Sequence, residues 1–83
     1  MQLVPFTYAS TGHTGYVPEE AAATFRAKDA AMLAVKAGND GAISRIISAN
    51  RRIKRAGWYF YTEDTARHYA ARGHFTLIQG VPQ

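Results

Sequence analysis

Five of the ten lysine and arginine residues of this chain lie within eleven consecutive positions; they are Arg45, Arg51, Arg52, Lys54 and Arg55. Three of these arginines recur with Ser48 at intervals of three and four residues, which puts the four side chains on one side of an α-helix. The guanidinium fork matches phosphate oxygens, so a row of arginines can follow a nucleic acid backbone. Ser48, Asn50 and Arg51 would hydrogen-bond to base edges if the helix entered a major groove. A solvated basic face is the alternative explanation of the same pattern.

An aromatic segment follows directly and consists of Trp58, Tyr59, Phe60 and Tyr61. Its propensity is that of a β-strand, in which successive side chains alternate between two faces. We predict that Trp58 and Phe60 belong to the core. Tyr59 and Tyr61 would then lie on the outer face near Arg51 and Arg55, where they could stack on unpaired bases. Tyrosine and tryptophan beside arginine are equally typical of a protein-binding hot spot.

The element that must position the cations is a helix predicted from Asp40 to Ala56. Four isoleucines at helical spacing are expected to form an inward stripe opposite the arginine row, namely Ile43, Ile46, Ile47 and Ile53. Asp40 is a natural N-cap, and Gly57 is a natural C-terminal stop. The cations of the second half also complement the negative end of the helix dipole, which gives some of this charge a structural reason.

The segment before the basic helix is predicted as one helix over residues 21–37, because Pro18 and two glutamates suit a first turn and alanines follow. Phe25 and Met32 would face inward. An alternative stays open: residues 23–27 form a strand, and Asp29 then caps a shorter helix over residues 30–37.

Two helices joined around Gly38 invite comparison with a helix-turn-helix, in which the basic helix would be the recognition helix. The strands that follow could serve as a wing. Against this hypothesis, Ser44 falls where an apolar packing residue is wanted, and two glycines make the turn loose. The first helix is also long.

The two ends of the chain add shorter elements. Residues 2–8 are predicted as a strand, which Pro5 would make an edge or irregular strand. Residues 9–15 are predicted as a loop, since its glycines lack the Lys-Ser/Thr ending of a phosphate-binding P-loop. Thr62 would cap a short helix over residues 63–72, and residues 74–78 would form the closing strand before a short tail at 80–83. The twelve linking residues 62–73 allow these last two strands to be parallel or antiparallel.

These elements predict a small α+β fold in the order β-α-α-β-α-β, with about three short strands, two main helices and one short helix. With 83 residues, we expect a single compact domain over residues 1–83. A chain of this length buries only about 60% of its unfolded surface, so homo-oligomer formation would add stability.

Composition narrows the class of protein. The chain has no cysteine, which excludes disulfides, thiolate zinc sites and cysteine nucleophiles and suits a cytoplasmic location. It shows neither a signal-peptide pattern nor an apolar run near the roughly 20 residues that span a bilayer, so no membrane association is expected. The net charge of +4 favours an anionic partner.

Candidate catalytic and metal-binding residues are few. The three histidines are His13, His68 and His74. Glu63 and Asp64 are the acidic residues close enough in sequence to form a site with His68 and His74. A zinc site needs three or four ligands, and both acids are better explained as helix-start residues. We therefore predict no catalytic residue, no metal site and no cofactor.

The sequence favours a non-enzymatic binding protein whose partner is nucleic acid, most readily DNA. Its predicted contact residues are Arg45, Ser48, Arg51, Arg52, Lys54, Arg55, Tyr59 and Tyr61. The alternative is a protein-binding module, such as a small phage-type inhibitor, an accessory factor or an assembly protein, that docks on an acidic protein surface. There the same arginines would pair with carboxylates, and an aromatic residue of the segment 58–61 would anchor the interface.

Overall fold

The structure is a computed structural model that describes residues 1–78. Its strands are β1 (Gln2–Thr7), β2 (Thr14–Pro18), β3 (Tyr61–Thr62) and β4 (Thr76–Leu77), and its α-helices are α1 (Ala22–Lys36), α2 (Ile43–Ala56) and α3 (Glu63–Ala71). One-turn 3₁₀ helices, Glu19–Ala21 and Asp40–Ala42, lead into α1 and α2. The α+β class is confirmed, and the predicted order gains one strand, β2. The predicted tail at 80–83 lies outside the described residues.

The four strands form one sheet in the order β3-β2-β1-β4. β1 and β2 are an antiparallel hairpin with Val4 opposite Val17, β3 is antiparallel to β2, and β4 is parallel to β1. β1 is therefore a central strand, so of the two predicted forms, edge or irregular, the edge strand was wrong. The sheet tolerates Pro5 because β4 pairs only with Gln2 and Leu3, and the pairing ends before the residue that has no N–H to continue it.

Pairing in the last two strands is shorter than predicted. Residues 58–60 lie outside the sheet, and β3 begins only at Tyr61. Trp58 and Phe60 do join the core, as predicted, by packing on the α1 side of the sheet. Phe60 lies directly over Gly15, where an added Cβ would come within 2.7 Å of its ring. The Tyr61 carbonyl oxygen is closer still to that position, so the backbone of β3 and the Phe60 ring together explain why a glycine occupies β2 there.

The core has two parts, one on each face of the sheet. On the α1 face the buried residues are Val4, Phe6, Tyr8, Val17, Ala21 and Phe25. On the α3 face they are Leu3, Tyr16 and Ala66, with Tyr61, Phe75 and Leu77 packed against them. Since Phe25 lies within α1, the open question about residues 23–27 is answered: they are helical, and Phe25 and Met32 contribute to the core as predicted.

Asp29 is a buried carboxylate in the middle of α1 and not the N-cap of a shorter helix, as the alternative supposed. Its oxygens accept hydrogen bonds from the Ala9 N–H at 2.9 Å, the Ser10 N–H at 3.0 Å and the Ser10 hydroxyl at 2.6 Å. The Lys36 ammonium donates to the Ser10 carbonyl oxygen. We call these four residues the Asp29 clamp; it ties the β1–β2 loop to α1.

α3 links β3 and β4, which lie at opposite edges of the sheet and are therefore not neighbours. Thr62 caps α3 as predicted, since its hydroxyl oxygen accepts a hydrogen bond from the Thr65 N–H at 3.4 Å. The helix packs through Ala66 over the face that holds Leu3 and Tyr16. Among residues 1–78, no helix has the length and apolar character needed to cross a bilayer.

Candidate functional site

The basic helix α2 is anchored to the fold through small residues. Ala49 is its buried residue, and Ala42 is buried in the turn before it, while Ile46 is half-buried and Ile53 packs against the α1-side core. Contact through alanines brings α2 close to α1 and rotates the isoleucine stripe partly away from the core. Ile43 and Ile47 are each 46% exposed, so the prediction that all four isoleucines face inward was wrong for these two.

The two ends of α2 differ in how well they agree with the capping predicted from the sequence. Asp40 makes no side-chain capping hydrogen bond, and the Ser44 hydroxyl instead donates to the Gly41 carbonyl oxygen at 3.1 Å. At the other end, Gly57 adopts a left-handed conformation with φ of 73°, as its predicted role as a stop requires. The Trp58 N–H then donates to the Ile53 carbonyl oxygen at 3.1 Å, which turns the chain back towards the sheet.

All five cations of α2 are exposed, and so is Ser48. The helix contains no acidic residue. Within residues 1–78, the only salt bridge joins Glu63 to Arg67 on α3, at 2.7 Å. The cations of α2 thus have no carboxylate partner in the described part of the chain.

Three of the predicted contact residues come together at a groove between α1 and α2. The groove has a volume of about 460 Å³ and is lined by Ala23, Thr24, Ala27, Ser44, Arg45, Ser48, Ala49 and Arg52. Its alanines leave room between the helices, while the hydroxyls of Thr24 and Ser48 and the guanidinium groups of Arg45 and Arg52 are donors suited to phosphate oxygens. We call this feature the arginine groove. The residues of α1 that line it were not singled out from the sequence, because only the packing of the helices reveals them.

The remaining predicted residues are distributed more widely. Lys54 lines a separate cleft with Asn50, Ile53, Gly57, Trp58 and Tyr59. Arg51 and Arg55 are exposed on α2 outside both depressions. Tyr59 is 63% exposed and lines the same cleft as Lys54, so it lies beside the basic helix. Its neighbour there is Lys54, whereas the sequence predicted Arg51 and Arg55.

Tyr61 is half-buried, and its ring belongs to the α3-side core, so its predicted place on an outer face beside the arginines was wrong. It lines a second cleft with Tyr59, Phe60, Thr62, Thr65, Tyr69 and Phe75, which we call the aromatic cleft. Burial, followed by the proximity of Tyr59 and Tyr69, raises the pKa of the Tyr61 hydroxyl, so this phenol is neutral at pH 7. Sequence reasoning missed Tyr69 and Phe75, since only the crossing of α3 brings them to Tyr61.

The helices do not form a winged helix-turn-helix. β3 pairs with β2 and β4 pairs with β1, so the strands after α2 do not build a two-stranded wing. Ala23, near the beginning of α1, and Arg52, near the end of α2, line the same groove. Helices that meet only at a turn and then cross at about 90–120° would hold these two residues far apart.

In the part of the chain that the structure describes, no three acidic or histidine side chains converge in a way that could hold a metal ion. The buried carboxylate, Asp29, is occupied by its hydrogen bonds to Ala9 and Ser10. His68 and His74 are exposed, and the ring of each contacts the Tyr69 ring, at centroid distances of 5.5 and 5.7 Å. We compared the chain with models of known protein families, with curated proteins and with solved structures, and none of the three comparisons found a match.

Proposed function

We propose that the protein is a non-enzymatic nucleic-acid-binding protein, with DNA as the first candidate, and that α2 is its binding element. The observation that carries the proposal is the set of five exposed cations on one helix that contains no acid. These side chains have no carboxylate partner in the described residues. The charge they present is available to an external anion.

In the proposed complex, the arginine groove holds phosphates. Arg45 and Arg52 supply forked donors at the two ends of the groove, and Ser48 lies between them in sequence. The row from Arg45 to Arg55 extends about 15 Å at 1.5 Å per helical residue, which is long enough to follow several phosphates of one strand. Arg51, Lys54 and Arg55 widen the positive surface beyond the groove.

A second candidate function is docking on an acidic protein surface. The exposure of Ile43 and Ile47 favours it, because apolar side chains beside arginines suit a protein interface better than a phosphate backbone. In that complex the arginines would pair with carboxylates and the isoleucines would be buried by the partner.

The test is fluorescence anisotropy of labelled 15-nucleotide DNA, single-stranded and duplex, in about 50 mM salt. The variant Arg45→Ala/Arg52→Ala removes both guanidinium groups of the groove. Arg26→Ala/Arg72→Ala is the matched control, since it removes the same charge from exposed positions that do not line the groove.

We expect the groove variant to bind at least about tenfold more weakly than wild type, since a hydrogen bond to a charged group contributes about 1.5–3 kcal/mol. The control should stay within about threefold, because it changes only long-range attraction. Equal losses in both variants would show binding by net charge alone. Absence of binding in wild type would contradict the proposal and favour a protein partner.

A further inference from the structure

The aromatic cleft is a concave surface whose chemistry differs from that of the arginine groove. Its lining consists of aromatic side chains and two threonines, with no charged side chain among them. Its volume of about 460 Å³ falls within the range of about 300–1,000 Å³ that is usual for sites of small ligands. Such a lining suits a flat, uncharged ring with a hydrogen-bonding edge.

The rings of the cleft are held against one another. Tyr61 and Phe75 lie 5.0 Å apart between centroids, and Tyr69 meets Phe75 edge to face at 5.8 Å. Tyr61 and Phe75 are half-buried against the α3-side core, which makes them the fixed part of the cleft. Tyr59 and Tyr69 are 63% and 40% exposed, so part of each ring remains accessible to a ligand, although Tyr69 also contacts the rings of His68 and His74.

The polar groups of the cleft are hydroxyls at the start of α3. Thr62 donates a hydrogen bond to the Thr65 hydroxyl oxygen at 3.0 Å. The Thr65 hydroxyl hydrogen then remains to donate to a ligand, as do the phenol groups of Tyr59 and Tyr69. These groups are matched to the carbonyl and ring-nitrogen acceptors at the edge of a nucleobase.

Tyr59 connects this cleft with the basic helix. It lines both the aromatic cleft and the cleft that holds Lys54 and Asn50. A strand whose phosphates pass from the arginine groove around the C-terminal end of α2 would meet this exposed tyrosine ring beside Lys54. The combination of a cationic track and exposed aromatic rings is what single-stranded nucleic acid requires, since each unpaired base can stack on a ring.

We infer that the aromatic cleft is a base-binding pocket for single-stranded DNA, in which an unpaired base stacks on Tyr59 and Tyr69 while the phosphates run along α2. The inference rests on the proposed function and narrows the proposed ligand from DNA in general to single-stranded DNA. Duplex DNA keeps its bases paired and stacked, so it engages the arginine groove alone. Single-stranded DNA engages both surfaces and is the preferred ligand.

The experiment compares three labelled probes of equal length: a 15-nucleotide oligothymidine, an abasic oligonucleotide with the same phosphates, and a duplex. Each is titrated into wild type, Tyr59→Ala, Tyr69→Ala and Leu33→Ala. Leu33 is the matched control because it is 41% exposed, close to the value for Tyr69, and lines neither the aromatic cleft nor the arginine groove. Tyr59→Phe and Tyr69→Phe keep the ring while removing the hydroxyl.

We expect wild type to bind oligothymidine at least about fivefold more tightly than the abasic probe or the duplex. Tyr59→Ala and Tyr69→Ala should each weaken oligothymidine binding by about 5- to 100-fold and leave the abasic probe unchanged. The phenylalanine variants should retain most of the affinity, and Leu33→Ala all of it. Circular dichroism of each variant checks the fold. Tyr59→Ala is the variant least expected to disturb folding, because the Tyr59 ring is the most solvent-accessible ring of the cleft.

Two results overturn the inference, and they differ in what else they overturn. Equal affinity for oligothymidine and the abasic probe, with no effect of the tyrosine variants, removes the base-binding pocket while nucleic acid binding by α2 stands. Failure of wild type to bind any of the three probes removes both the pocket and the proposed function. In that case the aromatic cleft would be tested next for a hydrophobic side chain of a protein partner.

Discussion

Two regions of this molecule differ in whether their charged side chains have partners within the chain. In the Asp29 clamp, one buried carboxylate accepts three hydrogen bonds from Ala9 and Ser10, and Lys36 binds the same loop. On α2, five exposed cations have no carboxylate partner in the described residues. The clamp holds the β1–β2 loop on α1, so its charge serves the fold. The cations of α2 make no salt bridge in the described residues, and Lys54 and Arg55 of its last turn lie where the helix dipole favours them. We propose that the cluster as a whole serves an external anion.

The largest expected effect on stability comes from breaking the clamp. Asp29→Ala leaves the Ser10 N–H and hydroxyl and the Ala9 N–H without their acceptor, so we expect the free energy of unfolding to fall by about 3 kcal/mol. Ser10→Ala removes only one of these donors and should cost about 1 kcal/mol. Urea unfolding followed by circular dichroism measures both. A loss below about 1 kcal/mol for Asp29→Ala would show that the clamp is not what holds the loop.

A smaller effect tests how α2 is attached. Ile53 packs against the α1-side core, so Ile53→Ala should cost about 2 kcal/mol of unfolding free energy. Ile47 is 46% exposed, and Ile47→Ala should cost less than about 1 kcal/mol. The same urea experiment measures the difference between them. Equal losses would mean that Ile47 is buried in solution, for example by a second copy of the chain.

The pH dependence of stability isolates the charge of Asp29. Burial alone would raise the pKa of this carboxyl, but the hydrogen bonds from Ser10 and Ala9, with the Lys36 charge, outweigh it, so the pKa in the folded state lies below the ordinary value. The stabilisation is therefore present above the unfolded pKa of about 3.9 and is lost as the pH falls through the lower folded pKa. Unfolding free energies of wild type and Asp29→Asn across pH 2–7 should differ by a constant amount above about pH 5 and converge below pH 4. A difference that does not change with pH would contradict this assignment.

The smallest expected stability effect is at the arginine groove. Arg45→Ala/Arg52→Ala removes two exposed side chains that make no salt bridge, so the unfolding free energy should change by no more than about 0.5 kcal/mol. Thermal unfolding is sufficient to detect a larger change. If this variant were destabilised by 2 kcal/mol or more, the arginines would belong to the fold as Asp29 does, and the contrast between the two regions would disappear.

The features that were predicted well from the sequence are local ones. The stop at Gly57 and the cap at Thr62 depend on neighbours within a few residues, and both occur as expected. β2 was missed because its apolar pair, Tyr16 and Val17, is short and lies between a glycine and a proline. Pairing with β1, which is a tertiary effect, is what makes this segment a strand.

The candidate site was predicted only in part for a similar reason. The cations of α2 could be found because they are close together in the sequence. Which side of the helix faces α1 depends on alanines of both helices, so the exposure of Ile43 and Ile47 could not be predicted from periodicity alone. The aromatic cleft joins Tyr59 to Tyr69 and Phe75, which only the path of α3 across the sheet brings together.

The central claim is that the unpaired cations of α2 hold phosphates, and the salt dependence of binding tests it most directly. The dissociation constant for oligothymidine should be measured between about 50 and 300 mM salt for wild type and Arg45→Ala/Arg52→Ala. Each phosphate contact on a single strand contributes about 0.7 to the slope of log affinity against log salt, so loss of two contacts should reduce that slope by about 1.4. Arg26→Ala/Arg72→Ala should keep the wild-type slope. Identical slopes in all three proteins would contradict the claim, because the arginine groove would then hold no phosphate.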